Sequence, residues 1–215
     1  MKQSEQVYYR FKDALLNGSI ELGDTITQAE LAKILDTQIS PLRVAINKLE
    51  AEGLVDILPR SGIQIVKPDL ELIRNSYQLR KIIEREAIKT YTRYAASASI
   101  KNLIKINEDI LQQIDRDDAE EEILKNANEV DHATHDEFIK ILENPLVSKV
   151  YETNNDKIKL IRLDKPVYLS PLLMREITKE HLKFLRSIQE RDVESAATSL
   201  EEHLDNSVQR AMGIF

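Results

Sequence analysis

The sequence predicts a mainly α-helical protein in two parts. The first is an N-terminal winged helix-turn-helix with a small β-hairpin wing, over residues 1–68. The second is a C-terminal antiparallel bundle of six helices, over 69–215. Three observations lead there. Only five Gly and six Pro interrupt 215 residues rich in Leu, Ile, Ala, Glu and Lys, a composition that favours helix. Two short aliphatic runs around Pro59-Arg60-Ser61-Gly62 read as strands. Past Pro68-Asp69, six helical patterns follow one another across short breaks, as antiparallel neighbours require.

The elements follow in order. Ser4 is the expected N-cap of a first helix reaching Asn17, with Val7, Phe11, Ala14 and Leu15 at helical spacing and Gly18 ending it. NGSIELGDTI, residues 17–26, reads as a turn. Thr27 and Glu30 form a capping box that starts a helix through Leu35, and Asp36-Thr37 breaks it. Ile39–Glu52 is a third helix with Leu42, Ala45, Ile46 and Leu49 as its apolar stripe, stopped by Gly53. Leu54–Leu58 and Ile63–Lys67 make the hairpin, with its turn expected at Ser61-Gly62. Bundle helices are expected over residues 70–96, 100–114, 119–142 and 145–163, the last opened by Pro145. Two more follow: one capped by Ser170 before Pro171 and running through Glu190, the other capped by Asp192 and ending at Gly213.

Composition narrows the function. The net charge is −7, which taken alone counts against nucleic-acid binding. It is uneven: residues 1–68 hold eight Lys/Arg and nine Asp/Glu, the remainder 22 and 28. A near-neutral first part can still present a local basic face. There is no cysteine, so disulfides and thiolate metal sites are excluded, leaving imidazole and carboxylate as the strong ligands. No signal-peptide core opens the chain, and no run approaches the ~20 apolar residues of a membrane span. A cytoplasmic protein without a membrane partner is expected.

Four side chains stand out within the bundle. Asp131 and His135 are four apart in a helical segment, which stacks a carboxylate and an imidazole on one face. His181 and His203 fall in two later helices, and antiparallel packing can bring all four into one layer. One carboxylate with three neutral imidazoles suits a divalent metal, zinc first, with nickel, manganese or iron as alternatives. His132 points about 100° away from Asp131 and is expected to be partly exposed.

Residues 4–68 resemble the DNA-binding module of the GntR family of bacterial regulators. The resemblance rests on Gly18…Gly23-Asp24, Glu30-Leu31-Ala32, Ser40-Pro41-Leu42-Arg43 and Leu49-Glu50-Ala51-Glu52-Gly53-Leu54-Val55 leading to Gly62. It implies that the third helix enters a major groove and the wing meets backbone or minor groove. The implied DNA contacts are Gln38, Ser40, Pro41, Arg43, Arg60, Ser61 and Gly62. Where the family has Ser-Arg-Thr-Pro, this chain has Gln38-Ile39-Ser40-Pro41. Ile39 in place of an arginine removes a charge-assisted contact, so weaker or altered specificity is expected.

Residues 77–208 are similar to the FCD ligand-binding domain of the FadR-type subfamily, on Asp131…His135, Asn144-Pro145-Leu146, Glu180-His181-Leu182, Arg191-Asp192…Ala196 and His203. That resemblance implies a metal on Asp131, His135, His181 and His203 at the floor of an effector cavity. Arg80 and Glu84 match the family's Arg-x-x-x-Glu; Arg80 would clamp a carboxylate, against the plainer reading of an intrahelical ion pair. Asn155 and Arg162 are expected to face the same cavity. Together these imply a homodimeric regulator, a repressor by family habit. It would bind operator half-sites about one helical turn (~34 Å) or more apart and respond to a small organic acid. Two alternatives stand beside it: a metal-dependent enzyme acting on a small carboxylate with a DNA-binding appendage, and a purely structural metal.

Overall fold

The computed structural model describes residues 2–116, 121–164 and 170–214, and it divides between Asp69 and Leu70 into two compact units. In the first unit, α1 (Gln3–Leu16) buries Val7, Tyr8, Phe11, Ala14 and Leu15. It starts ahead of the expected Ser4 cap: Lys2 is the N-cap, and its carbonyl accepts from the Glu5 and Gln6 N–H groups. The capping box at the start of α2 (Gln28–Ile34) is complete. Glu30 N–H donates to Thr27 Oγ1 at 3.2 Å and Thr27 N–H to Glu30 Oε2 at 3.0 Å. Helix α3 (Ile39–Ala51) buries Leu42, Ala45, Ile46 and Leu49 and so presents the opposite face outward.

The wing differs from expectation in two places. Thr25–Ile26 is a strand, β1, pairing with β3 (Gly62–Ile65), which also pairs with β2 (Val55–Leu58), giving the antiparallel order β1-β3-β2. Two residues are too few to show an alternation, so the segment read as turn alone. The hairpin turn is centred on Pro59-Arg60, not Ser61-Gly62. Ser61 N–H donates to the Leu58 carbonyl at 3.1 Å, and Arg60 takes φ +68°. Gly62 belongs to the strand at φ +129°, and a Cβ there would lie 2.6 Å from the Ile26 carbonyl oxygen. Only glycine lets β1 approach so closely.

Among the described residues, the regular elements of the second unit are all helices: α4 (Leu70–Tyr94), α5 (Ser97–Ile114), α6 (Glu121–Lys140), α7 (Pro145–Leu163), α8 (Pro171–Gln189) and α9 (Val193–Ala211). The start expected for α6, Ala119, lies outside the described residues. Asn144 caps α7 by accepting from the Leu146 and Val147 N–H groups, and Asp192 caps α9 by accepting from Ser195 N–H. Ser170 occupies the N-cap of α8, but its side chain makes no capping bond; Pro171 in the first turn has no N–H to satisfy. Helix α6 packs on α4, α5, α7 and α8, and α9 packs on α4 and α8. Asp131 and His135, midway along α6, are therefore buried where α8 and α9 also converge. Phe138 and Phe184, both fully buried, form an apolar wall against the three imidazoles of His135, His181 and His203.

Candidate metal centre and DNA-reading face

The structure brings Asp131, His135, His181 and His203 together. One donor atom from each lies within 4.8 Å of all the others, and all four residues are buried. The ring centroids of the three imidazoles form a near-equilateral triangle with sides of 4.8, 5.0 and 5.1 Å. His181 Nε2 lies 3.1 Å from Asp131 Oδ1.

The surroundings fix which nitrogen of each ring faces inward. His135 Nδ1 donates to Glu84 Oε2 at 2.6 Å, and His203 Nδ1 donates to Glu180 Oε2 at 2.8 Å. The Asn107 amide donates to the Leu103 carbonyl at 2.9 Å and to Thr134 Oγ1 at 3.0 Å. Its Oδ1 is thereby left as acceptor for His181 Nδ1 at 3.2 Å. With each Nδ1 engaged by these partners, every ring turns its Nε2 towards the cluster. The three Nε2 atoms and Asp131 Oδ1 are buried without a hydrogen-bond partner. Four buried polar atoms without a hydrogen-bond partner would be costly alone, and together they form a donor set that could hold a divalent cation. Outer carboxylate and amide partners that orient ligand imidazoles are the usual complement of such a site.

Charge distribution agrees. Burial raises the Asp131 pKa, but the Arg162 guanidinium, bonded to Oδ2, and the His181 and His135 rings outweigh it and hold the carboxyl well below the usual range. Burial likewise opposes ionisation of Glu84, yet Arg80 and His135 keep it charged. Burial pushes His135 down to about 3 and His203 down to about 4, so both imidazoles are neutral at neutral pH. These depressed values carry a stability signature. The unfolded imidazoles take up protons first, near pH 6.5. The metal-free fold is therefore expected to lose stability as pH falls from 6.5 towards 4, on the order of 2 kcal/mol per imidazole by pH 5. Urea unfolding of metal-free protein at pH 7.5 and 5.0 measures this; equal midpoints would contradict it.

The residues expected around the cavity make different contacts. Arg80 is buried, with Nε on Glu84 Oε1 and Nη1 lacking a hydrogen-bond partner. Arg162 reaches the cluster directly through Asp131. Asn155 is half-buried, its Nδ2 donating to Asp136 Oδ1 at 3.4 Å. Glu84 is more than the ion-pair partner of Arg80, since it also accepts from His135 and Tyr151. Asn107 was not singled out from the sequence, and Glu180 was named only within the motif around His181, not as the partner of His203. For Asn107 a signal existed: it is the one polar residue on the buried stripe Ile100, Leu103, Asn107, Ile110 and Ile114.

On the first unit, Gln38, Ser40 and Arg43 are exposed at the start of α3 and Pro41 is half-buried there, while Arg60 and Ser61 are exposed at the wing tip. Gly62 is pressed against β1 and is not at the tip. Arg43 is pre-oriented by Nε donating to Gln28 Oε1 at 3.1 Å, and Ile39 and Val44 lie exposed on the same helix. Lys48 is exposed, its Nζ 3.6 Å from the Tyr8 ring centroid.

Residues 3–65 match the family described as bacterial regulatory proteins, gntR family, and residues 75–206 match the FCD domain. The chain belongs to the gntR family and carries an FCD domain. Its GntR-type helix-turn-helix implies DNA binding, and its FCD domain a small-molecule effector. The chain is 23% identical over 201 residues to the uncharacterized HTH-type transcriptional regulator YdhC of Bacillus subtilis, spanning 94% of this chain and 87% of that protein. It is 22% identical over 201 residues to the HTH-type transcriptional repressor RspR of Escherichia coli, spanning 94% and 85%. The solved structure of E. coli McbR/YncC shares the fold at a TM-score of 0.80 and 16% identity, covering 99% of this chain and 98% of that one. These GntR-family relatives are transcriptional regulators and not enzymes, so the enzyme alternative has no support. Among the described residues, no helix is long and apolar enough to cross a membrane.

Proposed function

We propose that this GntR regulator is a cytoplasmic, homodimeric repressor whose operator binding is relieved by a small organic acid held at a metal site in its FCD unit. The observation that carries the proposal is the set of four converging, buried and unpartnered donors, Asp131 Oδ1 and the Nε2 atoms of His135, His181 and His203. Three neutral imidazoles and one carboxylate favour zinc, with nickel or manganese also matching the set. When bound, the metal would supply a Lewis-acidic charge that attracts an anionic ligand. The protein's part is to hold the imidazoles in the correct tautomer and keep water out with Phe138 and Phe184. It also offers Arg80 Nη1, beside the cluster, as a donor for a carboxylate. The repressor sense is supported by the likeness to RspR, an HTH-type transcriptional repressor.

Operator contact is assigned to Gln38, Ser40, Pro41 and Arg43 on α3 and to Arg60 and Ser61 on the wing. Gly62 sets the wing's shape. Arg43→Ala is expected to weaken operator binding about tenfold and to reduce the salt slope by about one. Anisotropy titrations between 50 and 200 mM salt read both, and an unchanged slope would remove Arg43 from the phosphate contacts. The proposal as a whole is tested by a thermal-shift screen of organic acids on zinc-loaded protein, with each hit assayed for operator release. Acids that raise the melting temperature yet leave operator affinity untouched would count against a regulatory role. Carboxylates that leave the melting temperature of zinc-loaded protein unmoved would favour a structural metal.

A further inference from the structure

Glu84 stands where the metal site and Arg80 meet. Its Oε2 accepts from His135 Nδ1 at 2.6 Å; its Oε1 accepts from Arg80 Nε and, at 2.9 Å, from Tyr151 OH. The carboxylate is buried completely, so its charge is compensated by these three donors and is divided among them. Arg80 is buried at 2% exposure and uses only part of its fork, with Nη1 lacking a hydrogen-bond partner.

We infer that Glu84 is a positioning residue that links Arg80 to the metal site, so that what Arg80 holds changes how tightly His135 binds a metal. This rests on the metal site proposed above. Of the three donors, Arg80 and His135 compete for the one negative charge from opposite oxygens. Arg80 draws that charge towards Oε1 and weakens Oε2 as an acceptor. A carboxylate arriving at Arg80 Nη1 neutralises the guanidinium and relaxes its pull. Glu84 then accepts more strongly from His135 Nδ1–H, which makes Nε2 a better ligand. By linkage the effect is reciprocal: a metal on Nε2 polarises Nδ1–H, engages Glu84 and leaves Arg80 freer for an anion. Metal and carboxylate thus favour one another through Glu84 as well as by direct contact.

Removing the Arg80 charge imitates an anion bound to it, which allows a test without knowing the effector. Zinc affinity of the full chain, measured by chelator competition, is compared in the native protein, Glu84→Gln, Arg80→Met and the double variant. Glu84→Gln is expected to weaken zinc by about 10–100-fold. Arg80→Met is expected to tighten zinc at least about fivefold in the native background and to change it by less than about twofold in the Glu84→Gln background. An equal Arg80 effect in both backgrounds means action through space and overturns the link, as does no effect in the native background. Absence of zinc binding by the native protein would instead overturn the metal reading itself. Should Glu84→Gln fail to fold, Tyr151→Phe withdraws one donor from Oε1. The His135 Nδ1–H proton resonance of zinc-loaded protein is then expected to move, and a stationary resonance overturns the link.

Discussion

His203→Ala is expected to lower the metal affinity of the FCD unit by more than about a hundredfold, since a ligand matters more than the outer partners whose loss costs 10–100-fold. Operator affinity without effector should stay within about twofold. Native protein should melt higher with zinc present, by about 2.7 kcal/mol of stability at one hundred times the dissociation constant, and the variant should show no such gain. Misfolding is a separate outcome, and the structure indicates why it is not expected. His203 Nε2 has no hydrogen-bond partner within the protein, and Glu180, which loses its imidazole partner, keeps Arg210 and Asn206. Metal content by mass spectrometry and denaturant unfolding together separate the two. Full metal content in the variant would place the site elsewhere.

Gly62→Ala is expected to act on the other unit alone. The new Cβ would stand 2.6 Å from the Ile26 carbonyl oxygen, a backbone atom that has no rotamer to yield, and φ is +129°. Strain of this kind costs about 3 kcal/mol. Strand β1 should part from β3, and with it the wing should lose the geometry that carries Arg60 and Ser61. The expected readouts are a lower unfolding midpoint for the N-terminal unit and operator binding weakened beyond about tenfold, with zinc uptake unchanged. A stability change below about 0.5 kcal/mol would show that β1 is free to shift.

Much of this was legible because it is local. The Thr27–Glu30 capping box, the glycine stop after α3 and the Asn144-Pro145 and Asp192 helix starts are each written within four residues. The four candidate ligands were legible as residue types at helical spacing. What could not be read is the environment that turns them into ligands. Glu84 meets His135 across 51 residues, Asn107 meets His181 across 74, and Glu180 meets His203 across 23. Glu180 directly precedes His181, yet a step of 100° around α8 sends it to a different imidazole. Packing decides such pairings, and periodicity carries no record of them. Strand β1 failed for the opposite reason. Its two residues pair only because Gly62 permits close approach, so its signal resided in the partner strand.

The central claim is that the metal-loaded FCD unit senses a carboxylate and passes that state to the operator. Its most direct measurement is operator affinity of the full chain, by anisotropy, using the acid that most raises the melting temperature of zinc-loaded protein. Four samples suffice: native protein with zinc, native protein stripped of metal, and each with the acid. Weakening of at least about fivefold by the acid in the zinc-loaded sample, with none in the stripped one, is the expected result. Equal weakening with and without zinc, or none in either, would contradict it.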